Sequence, residues 1–194
     1  MPAIITTKDE DLLDALIDPR QQIDYQQDAR AFVRIDTSLR VYWHTLFDTC
    51  PSLLELSGPE GLSIFHPFMS WAADHHLRMD WTLYLQLYAW LTRSEFRHRL
   101  NDRHAQQLVA AAAARWATSD RGSSAGVAIT RQGRADLLVG WKCRRIDQGR
   151  EIEVIALDTP LPPPDGLFGY FFIPDFELAH FPGWQHPDLP GMHP

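Results

Sequence analysis

Apolar positions along this chain follow two different rhythms, with the change near residue 118. Before it, they recur at steps of three and four, the spacing of a helix face turned to a core. Leu12, Leu13, Leu16 and Ile17 make one such stripe. Thr7 and Glu10 stand at capping-box spacing before it, and Pro19 closes it. Phe32, Ile35, Leu39, Tyr42 and Leu46 predict a second helix, beginning after Asp28 and ending before Pro51; Val33, Trp43 and Phe47 widen its apolar face. Pro67 is expected as the first residue of a third helix, where its missing N–H costs nothing. Phe68, Trp71, Ala72, His75 and Met79 then share a face. The run "DWTLYLQLYAWLT", 80–92, fits both a strand alternation and a helix; its helical flanks and lack of Gly or Pro favour helix. Being apolar nearly all round, it belongs in a core or an interface. Thr92 and Glu95 form a second capping-box pair, predicting a helix to about Leu100. Asp102 is expected to cap a last helix, which carries Ala110–Ala114 to Trp116.

Beyond the loop at 118–126 the pattern turns strand-like. Runs at 125–130, 135–146 and 151–157 are separated by "RQGR" and "DQGR", each with the glycine a tight hairpin wants. They predict a three-stranded antiparallel meander, with Leu137, Val139 and Trp141 opposite Ile152, Val154 and Ala156. From Pro160 onward prolines and glycines mix with aromatic residues, and "LFGYFFI" is expected to add a strand or pack on the domain. The predicted fold is therefore α+β in a single domain. It has an N-terminal helical bundle over about 8–118, a small three-stranded antiparallel sheet over about 125–158, and an aromatic, Pro-rich C-terminal segment over 159–194.

Composition adds little to the fold but narrows the class. The chain has 194 residues, 45% hydrophobic and 22% charged, enough for a packed core. No apolar run approaches the roughly 20 residues that span a bilayer. The N-terminus has acids where a signal peptide needs an apolar block, so the expected location is cytoplasmic and no membrane contact is foreseen. Cys50 and Cys143 stand far apart without a C-x-x-C pair, which fits two buried thiols. The net charge of −7 is unevenly spread: residues 93–150 carry 12 bases and 5 acids, and residues 151–194 carry 7 acids and no base.

The candidate chemistry is sparse. "WAADHHLRMDW" places Asp74, His75 and His76 together. On an unbroken helix, neighbours point about 100° apart, so both imidazoles cannot face one ion. His76 is expected to face Asp80, and Asp74 to face Arg78, as surface pairs one turn apart. Glu95 and His98 have an E-x-x-H spacing, as do Glu177 and His180, but no matching inward glutamates accompany them. The weak metal candidates are thus His76, Asp80, Glu95 and His98, and no cofactor is expected. "GSSAG" at 122–126 matches a G-x-S-x-G string in the reverse structural order to a nucleophile elbow. Arg93, Arg97, Arg99 and Arg103 form a local positive surface. The acidic total charge and the absence of a binding signature disfavour nucleic acid. Tryptophan and arginine dominate protein–protein hot spots, so these four arginines with Trp90 and Trp184 are the candidate partner-binding set. The leading expectation is a non-catalytic bacterial protein that binds another protein, such as an immunity, adaptor or chaperone protein for a toxin or secreted effector. The alternative is an enzyme or small-ligand-binding domain with a His/Glu site, with or without a metal, between helices and sheet. Oligomeric state is not legible.

Overall fold

A computed structural model describes residues 7–119, 124–130, 137–142, 161–173 and 181–186. Most of these residues are helical. The chain packs as two compact units, one running to Arg78 and the other from Met79 onward.

The first unit is helical among the described residues. Helix α1 (Thr7–Ile17) lies against α3 (Ala29–Phe47) and α5 (Leu62–Asp74), with the short α2 (Gln21–Asp24) and α4 (Leu53–Ser57) between them. Asp28 starts α3 because its carboxylate accepts from the backbone N–H groups of Arg30 and Ala31, at 2.9 and 3.2 Å. Ile35, Leu39, Leu46 and Phe47 are the buried side of that helix, in the spacing the sequence suggests. Helix α5 corrects one expectation. It begins at Leu62, five residues before Pro67, which lies inside it. A proline there removes one rung of the helix ladder. The rung it removes would end on Ser63, and both residues are exposed, so water can serve the freed carbonyl.

Gly61 makes that early start possible. It adopts a left-handed φ of +72°, and a Cβ on it would stand 2.7 Å from the ring of Phe47. Phe47 is 1% exposed and has nowhere to retreat.

The second unit is built on α6 (Leu83–Arg93) and α7 (Asp102–Ser119), joined by a 3-10 turn at Glu95–His98. The ambiguous apolar run is thus a helix, buried at every position from Leu83 to Ala89. Two capping assignments change. Ser94 caps the 3-10 turn through Phe96 N–H, while the Thr92 hydroxyl turns back to the Ala89 carbonyl. Asn101, the residue before Asp102, accepts from the first N–H groups of α7, at Arg103 and His104. Ala111, Ala112 and Ala113 are buried, and these small side chains lie on the helix that meets the sheet.

The expected meander is overturned. Strand β1 (Ser124–Thr130) pairs antiparallel with β2 (Leu137–Lys142), and on its other side with β3 (Phe168–Ile173). The order β2-β1-β3 puts the C-terminal aromatic run, not a third consecutive strand, beside β1. Residues 151–157, Glu177, His180 and Cys143 lie outside the described residues. The registers are Val127 opposite Gly140 on one side and opposite Tyr170 on the other. Cys50 is buried, as the sequence suggests. No helix among the described residues is long and apolar enough to cross a membrane.

Gly61→Ala should destabilise the first unit by about 2–3 kcal/mol, from left-handed strain plus ring displacement. A lowered urea midpoint at unchanged m-value checks this.

Candidate functional site

Three groups of side chains carry whatever chemistry the described residues offer.

The first is a polar network in the N-terminal unit. Asp18 lies at the end of α1, followed by Pro19 and Arg20. Its carboxylate accepts from the Arg20 backbone N–H at 3.0 Å, from Arg20 Nε–H at 2.9 Å, and from the Ser70 hydroxyl at 3.2 Å. The same guanidinium reaches on to Asp74, with Nη2 at 2.5 Å from Oδ1. Burial pushes the Asp18 carboxyl up, but the Arg20 and Ser70 hydrogen bonds and the Arg20 charge outweigh it and hold its pKa below the usual 3.8. The hydrogen bond to Asp18, then that to Asp74, raises the Arg20 guanidinium above its ordinary value. Beside this, His76 Nδ1 pairs with Asp14 of α1.

The network corrects the reading of the Asp-His-His stretch. Helix α5 stops at Asp74, His75 is its C-cap, and His76 has a left-handed φ of 51°. The backbone is broken where an unbroken helix was assumed. The two rings nonetheless go separate ways. His75 Nδ1 pairs with the Trp71 carbonyl at 2.8 Å and its ring lies on Trp71. The expected pairs Asp74 with Arg78 and His76 with Asp80 are replaced by Asp74 with Arg20 and His76 with Asp14. Asp80 instead accepts from Thr82 N–H and Oγ1–H, at 2.8 and 2.7 Å. His98 Nε2 accepts from Arg97 Nε–H at 2.8 Å, and Glu95 is exposed on the same turn. Among the described residues no three His, Cys, Asp or Glu side chains are grouped to hold a metal ion.

The second group is the arginine corner. Arg93 ends α6, Arg97 lies in the 3-10 turn, Arg99 follows it, and Arg103 is in the first turn of α7. All four are exposed, while Trp90 is half-buried. Within this short connection Glu95 and Asp102 are the acids.

The third group is aromatic. Trp81 and Trp116 stack at 4.4 Å with 9° between planes, and Tyr170 stands edge-on to both. Trp184 packs with Phe171 and Phe181 on the opposite face of β3, and its indole N–H donates to the Pro162 carbonyl at 2.6 Å. Trp184 is legible in the sequence as an aromatic of the C-terminal segment, but its place beside Phe171 and Phe181 is not.

Two features escaped the sequence argument. One is the Asp18 network; its local trace is the Asp-Pro-Arg turn, where a side-chain carboxylate meets an N–H two residues on. The other is Gln86, fully buried in apolar α6, whose amide donates to Thr82 Oγ1 at 3.1 Å.

A family described as "Methanobactin biosynthesis cassette protein MbnC-like" matches residues 22–188. The chain belongs to this MbnC-like family. The matched stretch begins inside α2, so the Arg20–Asp18 turn lies just outside it, and the arginine corner and the whole sheet lie within. No curated protein matches the MbnC-like chain. The family's place in a biosynthesis cassette displaces the immunity and adaptor readings.

Replacing Asp18 by Asn should lower stability at neutral pH by about 1–3 kcal/mol, since it removes a buried charged acceptor from two Arg20 N–H groups and the half-buried Ser70 hydroxyl. Because the folded pKa lies below 3.8, the Asp18 contribution is complete above that value. It is lost as pH falls through the lower folded value. Stability measured against pH should show wild type and Asp18→Asn converging in acid.

Proposed function

We propose that this MbnC-like chain serves its cassette in the cytoplasm by binding another protein of that cassette, through a surface that includes the arginine corner of the second unit. The observation that carries this is the exposure of Arg93, Arg97, Arg99 and Arg103 on one connection between two helices. Arginine presents a planar fork of donors that matches carboxylates, and it is enriched where partners dock. The preferred partner surface is therefore acidic. Trp90, half-buried at the end of α6, adds an amphipathic ring at the edge of this surface. Membership of the MbnC-like family supports the biosynthetic setting.

Coexpression of the tagged chain with the other proteins of the cassette tests the reading. One of them should copurify in stoichiometric amount. Arg97→Glu with Arg103→Glu should weaken the complex at least about tenfold, with a larger loss at low salt than at high salt. Recovery of no cassette protein, or full binding by the charge-reversed chain, rejects the reading.

A further inference from the structure

We propose that His104 is an acid-released cap. Its neutral ring closes the start of α7 and keeps the arginine corner in order, and a proton on that ring opens it. The cap stands apart from the protein-binding reading above; its effect on a partner rests on that reading.

Asn101 and His104 answer each other at the start of α7. Asn101 Oδ1 accepts from the backbone N–H of Arg103 at 3.0 Å and of His104 at 3.4 Å. The Asn101 backbone N–H donates in return to His104 Nδ1 at 3.2 Å. The Asn101 carbonyl accepts from Ala105 N–H, the first helical bond. This is a capping box, in which the third helical residue reaches back to the N–H of the cap residue. Glutamate or glutamine ordinarily takes that place, and neither loses its acceptor near neutral pH. Here an imidazole takes it. An imidazole accepts through Nδ1 only while neutral, with its proton on Nε2; once protonated, both nitrogens are donors. Acid therefore sets two donors against each other across the 3.2 Å contact.

The surroundings favour the neutral ring. His104 is 1% exposed, so a charge on it would be stripped of water. The amides at a helix start carry partial positive charge and oppose a cation. Around α7, helix α6 carries Tyr84, Tyr88 and Arg93, the 3-10 turn carries Glu95, Arg97 and His98, and β2 carries Lys142, while β1 has no charged residue. Arg99 precedes the helix, and Asp102 and Arg103 share its first turn. Cations outnumber acids in this set. The closed cap holds the neutral ring and the open one takes a proton without these costs, so neutral pH favours closure and acid favours release. Imidazole titration places the change between about pH 8 and 5.

The cap bears on the corner because the connection is fixed at its two ends. Ser94 and the buried Phe96 fix the first, with Phe96 N–H on the Ser94 hydroxyl. The Asn101–His104 box fixes the second, and Arg103 contributes one of its bonded N–H groups. Arg97 and Arg99 lie between. A cation on an ordered segment loses less freedom on meeting a carboxylate than one on a loose segment. Release of the second anchor thus weakens the hold on an acidic partner. Protonation of the exposed His98 adds a charge in the same window and acts in the opposite direction, so the cap has to be read at its own amides.

The test is amide exchange followed by NMR on the full chain, with protection at Asn101, Arg103 and His104 compared with Leu87 and Ala89 of α6. Wild type should lose protection at the first three at least about tenfold between about pH 7.5 and about pH 5, with α6 unchanged. His104→Gln keeps an acceptor that does not titrate and should hold its protection at both pH values. His104→Leu lacks the acceptor and should show low protection at both. Protection in wild type that is independent of pH overturns the proposal, as does an equal loss in His104→Gln. Should the variants not fold, the imidazole nitrogens of wild type decide. A ring neutral with its proton on Nε2 at about pH 7.5, gaining a second proton as Asn101 exchange accelerates, supports the cap. A ring already charged at that pH, or one protonated on Nδ1 alone, overturns it. With the copurifying cassette protein as probe, acid should cost wild type at least about threefold more affinity than His104→Gln; equal losses overturn the link to the corner. Acid release of the cap when no cassette protein copurifies upholds the cap and rejects the protein-partner reading alone.

Discussion

A helix that is apolar on every side has no face to give to water. Helix α6 is buried at each position from Leu83 to Ala89, so every direction around it needs cover. Within its own unit α7 packs along it, and Phe168 of β3 reaches Tyr88. The Trp81–Trp116 stack joins the approach to α6 to the end of α7, and Arg115 ties the same helix to the Met79 carbonyl at 2.5 Å. Gln86 is the polar exception inside this helix. Thr82 answers its amide, and Asp80 answers Thr82, yet its carbonyl oxygen has no hydrogen-bond partner among the described residues. An unmade buried hydrogen bond costs about 1–3 kcal/mol, which the surrounding apolar packing has to offset.

The helices were legible because their signals are local. The Asp28 cap and the spacing of Ile35, Leu39 and Leu46 each sit within a few residues of the structure they specify. Where two local rules competed, the sequence misled. Pro67 fits a helix start by its chemistry, but Gly61 offered an earlier one and an exposed position made an internal proline tolerable. Strand order was not legible in the same way. The partner of β1 at Phe168–Ile173 lies across a long stretch of chain, and no periodicity within either strand names the other. The run FGYFFI does carry the mark of a buried strand, being apolar without alternation, although Phe172 stays 40% exposed. That mark told of burial and not of which neighbour would provide it.

The candidate sites divide along the same line. The arginine corner is a local feature, four cations within one connection, and the structure leaves them exposed as a sequence reader would place them. The Asp18 network joins residues more than 50 positions apart, Arg20 to Asp74 and Asp18 to Ser70. Helical spacing pointed instead to neighbours one turn away, Arg78 for Asp74 and Asp80 for His76. Those pairings presume that the helix continues, and it ends at Asp74. Once His76 takes a left-handed backbone, its side chain is released from helical geometry and meets α1 instead.

The surface proposed for a partner belongs to the second unit, and its charges act at range. Arginines at an exposed connection act through charge, which reaches about 10 Å at moderate salt and governs encounter more than residence. A protein that used the corner alone would associate fast and hold weakly. The half-buried Trp90 at the end of α6 adds the contact that charge alone lacks. An acidic partner surface would suit these arginines, and residues 151–194 of this chain, with seven acids and no lysine or arginine, have the same sign of charge.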